Sequence, residues 1–84
     1  MLKVYAARWC PHCQRTIRFL QEKGVEFEYI EVEEQSPVVI AKLVEVNGGE
    51  DWVVPTLELN GAWRPGQVFN PEKLEKYLKE MELI

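Results

Sequence analysis

The only two cysteines of the chain, Cys10 and Cys13, stand three residues apart in the segment RWCPHC. Two thiols at this spacing can cycle between a dithiol and a disulfide, or they can supply two ligands to a metal ion. A purely structural disulfide is the weakest interpretation, because closing so short a loop removes little entropy from the unfolded chain. The pair therefore predicts redox chemistry or part of a metal site.

The metal interpretation requires more ligands than the segment contains. Structural zinc sites usually have four protein ligands, and His12 with the two cysteines supplies only three. An iron–sulfur cluster would need thiolates from two chains or from a small thiol. The residues favour a redox pair. Two alternatives stay open, namely an iron–sulfur or metal-carrying module and a docking domain whose cysteines form a regulatory switch without turnover.

Composition restricts the classes of protein further. The chain has 84 residues, of which 46% are hydrophobic and 29% charged, which is typical of one globular domain spanning residues 1–84. A net charge of −4 with dispersed basic residues argues against nucleic-acid binding. No apolar run approaches the roughly 18 residues of a membrane span, and Met1 leads directly into a strand-like pattern instead of a secretory signal. We expect a cytoplasmic monomer that does not associate with membranes.

The elements that must position the cysteines can be predicted from the spacing of apolar residues. Residues 2–6 and 25–29 have the pattern of strands, the second by strict alternation with glutamates. Between them, helical spacing relates Cys13, Thr16, Ile17 and Leu20, and Gly24 marks the helix end. Cys10 therefore lies where a strand passes into a helix, at the sheet edge where active sites form.

The second half of the chain contains one strand pair between two helices. Helix openings are predicted at Ser36-Pro37 and Asn70-Pro71, and a helix stop at Asn47-Gly48-Gly49. A strand over residues 55–59, the turn Asn60-Gly61 and a returning strand within residues 62–69 form a hairpin.

The predicted order is thus β-α-β-α-β-β-α, an α/β domain with helices on both faces of a four-stranded sheet. Its first three strands, which are joined by helices, are expected to be parallel or nearly so. The acidic residues Glu31, Glu33 and Glu34 are expected on a solvated edge and loop.

The predicted position of Cys10 at a helix N-terminus provides a physical reason for reactivity. Free backbone N–H groups and the helix dipole favour a thiolate there. Pro11 suits the first helical turn, where its missing N–H would have no partner. His12, when protonated, would stabilise the thiolate further, and Arg8 and Arg15 add positive potential. A dithiol whose reduced form is stabilised in this way is comparatively oxidising.

On these residues the chain resembles the glutaredoxins, the minimal form of the thioredoxin fold. KVYAARWCPHCQRTIRFL is similar to the first strand, active-site loop and first helix of that family, and VVPTLEL is similar to its cis-proline segment. Within the family the chain resembles mycoredoxins and other short bacterial glutaredoxin-like proteins. The shared features are Trp9, the NGG of residues 47–49, the VPT of residues 54–56 and the NP that opens the last helix.

The resemblance implies roles for particular residues. Cys10 would be the nucleophile and Cys13 the resolving thiol. The Val54–Pro55 peptide bond would be cis, with Pro55 against the two sulfurs and the Val54 backbone pairing with the substrate chain. Pro11 and His12 complete the catalytic segment that the resemblance implies, and the other substrate- or thiol-binding residues would be Arg8, Trp9, Phe69 and Asn70.

Two features depart from the glutathione-binding members of that family. Those members carry a Gly-Gly-Cys/Ser-Asp segment before the last helix, whereas residues 64–70 here read RPGQVFN. They also carry a basic residue two positions after the strand tyrosine, where this chain has Ala7, and here Glu50-Asp51 precede the proline segment. A glycyl carboxylate would meet repulsion unless Arg8 or Lys42 reaches it.

The sequence therefore predicts a glutaredoxin-like disulfide oxidoreductase that acts on protein disulfides or on mixed disulfides with a small thiol. No tightly bound cofactor is expected, and a low-molecular-weight thiol such as glutathione or mycothiol is a candidate co-substrate. Expected partners are disulfide-bonded or S-thiolated proteins. The resemblance adds thioredoxin reductase and ribonucleotide reductase as candidate partners in electron transport and cell redox homeostasis.

Overall fold

The computed structural model describes all residues from 1 to 84 and confirms the predicted order of elements. The strands are β1 (Leu2–Ala6), β2 (Phe27–Glu31), β3 (Thr56–Leu59) and β4 (Ala62–Arg64). The helices are α1 (Pro11–Glu22), α2 (Pro37–Val46) and α3 (Pro71–Glu80), and a short 3-10 helix occupies Val32–Glu34. None of the helices has the length and apolar character that a membrane span requires.

The two predicted helix openings are confirmed in atomic detail. The Ser36 hydroxyl accepts a hydrogen bond from Val39 N–H at 3.4 Å, and Asn70 Oδ1 accepts one from Lys73 N–H at 3.0 Å. Each cap is followed by a proline at the first helical position, where no N–H is needed. These local signals explain why residues 37–46 are helical despite several β-branched side chains.

The sheet has the strand order β2-β1-β3-β4, and one expectation about it was wrong. β1 and β2 are parallel, but β3 runs antiparallel to β1, with Tyr5 opposite Thr56. The reason is the connection after α2, because residues 47–54 form no helix or strand and can span roughly 26 Å when extended. The chain thereby returns to the end of the sheet where β1 finishes, and β3 starts beside the cysteines.

Two strand boundaries also differ from the sequence pattern. β2 lies two residues further along than the alternation of residues 25–29 indicates, so Glu31 is its last residue. β4 ends at Arg64, which leaves Pro65 and Gly66 in the loop before α3. The shift of β2 places Glu31 beside the end of β1, and the early end of β4 lengthens the loop before α3.

The helices cover both faces of the sheet, as predicted. Trp63 stacks on Tyr5 with ring centroids 5.5 Å apart, and Lys42 of α2 lies over the Trp63 ring, which places α2 on this face. α1 and α3 lie together on the other face, joined by the Lys23–Glu75 ion pair at 2.9 Å. The core between the layers includes the fully buried side chains Leu2, Val4, Leu20, Leu43, Leu57, Leu74 and Leu78.

Candidate active site

Cys10 is the N-cap residue of α1. Its backbone is extended (φ −85°, ψ 114°), and its sulfur accepts a hydrogen bond from the Cys13 N–H at 3.2 Å. The Cys10 carbonyl already accepts the first helical hydrogen bond, from Gln14 N–H at 3.1 Å. The sulfur thus occupies the position of a capping oxygen, where a negative charge is stabilised by the free N–H groups of the first turn.

Cys13 lies one turn inside the helix and has a different environment. It is fully buried, whereas Cys10 retains 5% of its exposure. Burial raises the pKa of the Cys13 thiol to about 12, and the hydrogen bond to Cys10 and the negative charges of Cys10 and Glu31 act in the same direction. The Ala7 backbone amide acts in the opposite direction. Cys13 is consequently a neutral thiol at neutral pH.

The segment before β3 lies against Cys10. The Val54–Pro55 peptide bond is cis, Pro55 is buried, and the Val54 carbonyl oxygen is 4.0 Å from Cys10 Sγ. Thr56 Oγ1 donates a hydrogen bond to the Val53 carbonyl at 2.6 Å, which closes a compact turn around the proline. The structure therefore brings together Cys10, Val54 and Pro55, the residues that the resemblance grouped.

The Asn47 side chain connects this turn to two other parts of the fold. Its Nδ2 donates to the Leu43 carbonyl at 2.9 Å and to Thr56 Oγ1 at 3.1 Å, and its Oδ1 accepts from Gly66 N–H at 2.7 Å. Gly66 packs so closely that a Cβ there would lie 2.8 Å from the Val53 carbonyl oxygen. Only glycine fits this contact, which brings the loop before α3 beside the proline turn.

His12 connects the other end of that loop to α1. Its Nδ1 accepts a hydrogen bond from Phe69 N–H at 3.1 Å, and the Phe69 ring contacts Phe19 edge-on with centroids 6.0 Å apart. Because Nδ1 is the acceptor, the imidazole in this arrangement is neutral and carries its proton on Nε2. The side chain of Asn70, predicted at the binding surface, is used in the α3 cap.

Of the acidic residues expected on a solvated edge and loop, Glu33 and Glu34 are exposed as predicted, whereas Glu31 is not. Glu31 is buried, and its Oε1 accepts hydrogen bonds from Arg8 N–H at 3.1 Å and from Tyr29 Oη at 2.9 Å. Glu33 accepts from Trp9 Nε1 at 3.0 Å, and Glu34 accepts from an Arg8 terminal nitrogen at 3.1 Å. Glu31 is enclosed because the residues before Cys10 present a backbone donor to it, whereas Glu33 and Glu34 make their hydrogen bonds at the surface.

Burial raises the pKa of the Glu31 carboxyl, but hydrogen bonds from Tyr29 Oη and from the Glu33 and Arg8 N–H groups outweigh it and hold the pKa below its usual value. Burial and the hydrogen bond to Glu31 raise the pKa of Tyr29 to about 12. Glu31 is thus a carboxylate at neutral pH and Tyr29 a neutral phenol. The sequence contained one signal for the burial of Glu31, since this residue falls in the register of the apolar Val25, Phe27 and Tyr29 and not in that of Glu26 and Glu28.

The rim of the site is apolar and exposed. Trp9 retains 61% of its exposure although its indole N–H is bound, and Val53 and Val68 are also exposed. These side chains lie in the segments that flank Cys10, Pro55 and Phe69. No group of three or more histidine, cysteine, aspartate or glutamate side chains converges on a position that could hold a metal ion.

Comparison with known proteins agrees with this geometry. The glutaredoxin family model matches residues 2–62. A glutaredoxin from Archaeoglobus fulgidus is 30% identical over 93% of this chain and 85% of its own, with a TM-score of 0.72. A variant of a thioredoxin-like protein is 27% identical over 93% of this chain and 99% of its own, with a TM-score of 0.70.

A more distant structure shares the fold alone. The buckwheat glutaredoxin–glutathione complex is 20% identical over 98% of this chain and 71% of its own, with a TM-score of 0.68. No protein with a curated description is similar enough to be matched. The family match covers both the cysteine segment and the cis-proline turn, and the chain belongs to the glutaredoxin family.

Proposed function

We propose that this protein is a thiol–disulfide oxidoreductase in which Cys10 is the nucleophile and Cys13 the resolving thiol. The observation that carries the proposal is the Cys10 sulfur at the N-cap of α1, hydrogen-bonded to the Cys13 N–H at 3.2 Å beside the Val54 carbonyl. This arrangement directs a first-turn N–H group of the helix at the sulfur and leaves that sulfur beside the cis-proline turn. Family membership supports the same reaction class.

The first step is attack by the Cys10 thiolate on one sulfur of a substrate disulfide. A bond forms between Cys10 Sγ and that sulfur, the substrate S–S bond breaks, and the other sulfur leaves as a thiolate that takes a proton from water. We expect the Val54 backbone to pair with the substrate residue next to its cysteine, as a short strand addition. The exposed Trp9, Val53 and Val68 supply apolar contacts around the sulfur.

The second step releases the reduced substrate. Cys13 loses its proton and attacks Cys10 Sγ, the mixed disulfide breaks, and the substrate leaves as a thiol after taking up a proton. The products are a Cys10–Cys13 disulfide and a dithiol substrate, so one disulfide is exchanged for another. A neutral, buried Cys13 does not compete with Cys10 in the first step, because thiolates and not thiols are the nucleophiles.

The test compares two conservative variants, Cys10→Ser and Cys13→Ser, with a mixed-disulfide model substrate and dithiothreitol as the reductant. Cys10→Ser is expected to lose all detectable turnover and to form no adduct. Cys13→Ser, incubated with the substrate in the absence of dithiothreitol, is expected to keep the first step and to accumulate a covalent adduct on Cys10, which intact-protein mass spectrometry detects. Disulfide reduction by Cys10→Ser at the wild-type rate would refute the proposal.

We further propose that substrates are protein disulfides, and that glutathione is a poor donor of electrons to this site. The two cations that could receive a glycyl carboxylate are already engaged. Arg8 pairs with Glu34 at 3.1 Å, and Lys42 pairs with Glu45 at 3.6 Å while lying over the Trp63 ring. A glutathione carboxylate would have to compete with these partners, so a reductase protein or an uncharged dithiol is the better-suited donor.

A further inference from the structure

Thr56 is a fully buried threonine at the start of β3, and its hydroxyl both donates and accepts a hydrogen bond. The hydroxyl donates to the Val53 carbonyl at 2.6 Å and accepts from Asn47 Nδ2 at 3.1 Å. A buried hydroxyl with two such partners is fixed in direction, because turning it would leave both of them unpaired. The Thr56 side chain therefore holds the Val53 carbonyl oxygen towards the interior of the fold.

The same carbonyl is confined from a second side. The Gly66 backbone lies so close to it that a Cβ there would be 2.8 Å from the Val53 oxygen. Asn47 holds this contact as well, since its Oδ1 accepts from the Gly66 N–H at 2.7 Å. Asn47 thus binds both of the groups that flank the Val53 carbonyl, so the carbonyl cannot turn without the loss of a contact.

The direction of the Val53 carbonyl determines the direction of the Val54 N–H. The Val53–Val54 peptide bond is trans, and in a trans peptide unit the C=O and the N–H point in opposite directions. With the carbonyl bound to Thr56, the Val54 N–H points away from that hydroxyl, and it makes no hydrogen bond within the chain. The carbonyl oxygen of Val54 is 4.0 Å from Cys10 Sγ. An unpaired backbone donor therefore belongs to the residue that lies beside the reacting sulfur.

We propose that Thr56 is a positioning residue for substrate chains, whose hydroxyl turns the Val53–Val54 peptide so that the Val54 N–H is presented to the substrate backbone. The inference rests on the proposed function. Thr56 does not touch the substrate and acts through the orientation of the peptide plane. The hydroxyl consequently matters for disulfides that carry peptide groups and is indifferent to disulfides that lack them.

The experiment compares two uncharged disulfides, of which only one carries peptide groups. They are the disulfide of N-acetylcysteine N-methylamide and bis(2-hydroxyethyl) disulfide. Each is mixed in excess with the fully reduced protein in a stopped-flow fluorimeter, and tryptophan fluorescence reports oxidation because Trp9 adjoins Cys10. In each reaction the protein dithiol becomes the Cys10–Cys13 disulfide and the probe is reduced to two thiols. The dependence of the rate on probe concentration gives a second-order rate constant.

Thr56→Val is expected to lower the rate constant for the peptide disulfide about fivefold, the factor that corresponds to one hydrogen bond of ordinary strength. The rate constant for the hydroxyethyl disulfide should stay constant, because that probe has no amide carbonyl to accept from the Val54 N–H. Thr56→Ser keeps the hydroxyl and should restore the rate with the peptide disulfide. Thr16→Val makes the same chemical change at the other buried threonine, on α1, and is the matched control that should change neither rate constant.

Equal effects of Thr56→Val on the two probes, including no effect on either, would overturn the inference, and so would a Thr56→Ser rate as low as that of Thr56→Val. Urea denaturation shows whether each variant is folded under the assay conditions. Asn47→Ala, which removes the partner of the hydroxyl, gives a second test if Thr56→Val does not fold: a selective loss with the peptide disulfide supports the inference and an equal loss with both probes contradicts it. A wild-type protein that is oxidised by neither probe would instead refute the dithiol function itself.

Discussion

At the scale of single residues, the hydrogen bond that His12 accepts gives its side chain a structural role, which its position between two cysteines does not suggest. Between two cysteines, a histidine suggests a cation beside the thiolate, and that role stays a prediction. In the structure its Nδ1 accepts the Phe69 N–H at 3.1 Å, which only the neutral ring can do. The side chain therefore joins α1 to the loop before α3, and this contact can be tested separately from any part in catalysis.

His12→Ala is expected to lower the free energy of unfolding by about 1 kcal/mol, because the partly buried hydrogen bond to His12 is lost and Phe69 N–H is left unpaired. For a domain of this size that corresponds to a fall in Tm of about 4–8 °C. Urea denaturation followed by tryptophan fluorescence measures the change. His12→Gln, which can present an acceptor to the same N–H, should recover part of the lost stability. Equal stability of His12→Ala and wild type would contradict the hydrogen bond between His12 and Phe69 N–H.

At the scale of elements, the site depends on the side-chain hydrogen bonds that join three segments at one end of the sheet. The loop between β4 and α3 is held at Gly66 by Asn47 and at Phe69 by His12. Asn47 also binds Leu43 in the last turn of α2 and Thr56 at the start of β3. One half-buried amide thus aligns a helix end, the cis-proline turn and a loop.

Asn47→Ala is expected to destabilise the fold by about 2 kcal/mol, since three hydrogen bonds of roughly 0.5–1.5 kcal/mol each are removed. The sharper measurement is hydrogen exchange of the Gly66 amide, which should be protected in the wild type and exchange rapidly in the variant. Asn70→Ala is the matched control: it removes an asparagine cap worth about 1 kcal/mol and should leave Gly66 protected. An unchanged exchange rate of the Gly66 amide in Asn47→Ala would show that the Asn47 side chain does not hold the loop.

At the scale of the whole molecule, the proposed preference among reductants depends on charge. The protein has a net charge of −4, and Arg8 and Lys42 are paired with carboxylates of the same chain. Glutathione carries a net negative charge at neutral pH, whereas dithiothreitol is uncharged. The overall field therefore opposes the approach of glutathione and is indifferent to dithiothreitol.

Reduction of the oxidised protein by glutathione is expected to accelerate a few-fold as salt rises from about 0.01 M to about 1 M, because the screening length falls from about 30 Å to about 3 Å. Reduction by dithiothreitol over the same range is the control and should stay constant. Tryptophan fluorescence follows both reactions, since Trp9 adjoins Cys10. A glutathione rate that is independent of salt, or that falls with salt, would contradict the proposed repulsion.

Several features of the protein follow from the sequence because local chemistry determines them. Cap residues, prolines and the Asn60-Gly61 turn specify where helices and the hairpin begin and end, whatever surrounds them. The cysteine spacing at a strand–helix junction, with the resemblance of the cis-proline segment, was enough to group Cys10 with Pro55. These parts of the fold and of the site were predicted, and the structure agrees with them.

Other features depend on which segments meet, and no local pattern contains that information. β3 is antiparallel because the connection over residues 47–54 is long enough to reverse the approach of the chain. Glu31 shares the register of the apolar Val25, Phe27 and Tyr29, but its enclosure also requires that β1 end beside it and that the Arg8 amide bind its carboxylate. Backbone donors and long-range partners decide whether a polar side chain is solvated or enclosed. The sequence alone therefore determined the elements and the pair of candidate sulfurs, whereas the tertiary structure decided the environment that distinguishes one sulfur from the other.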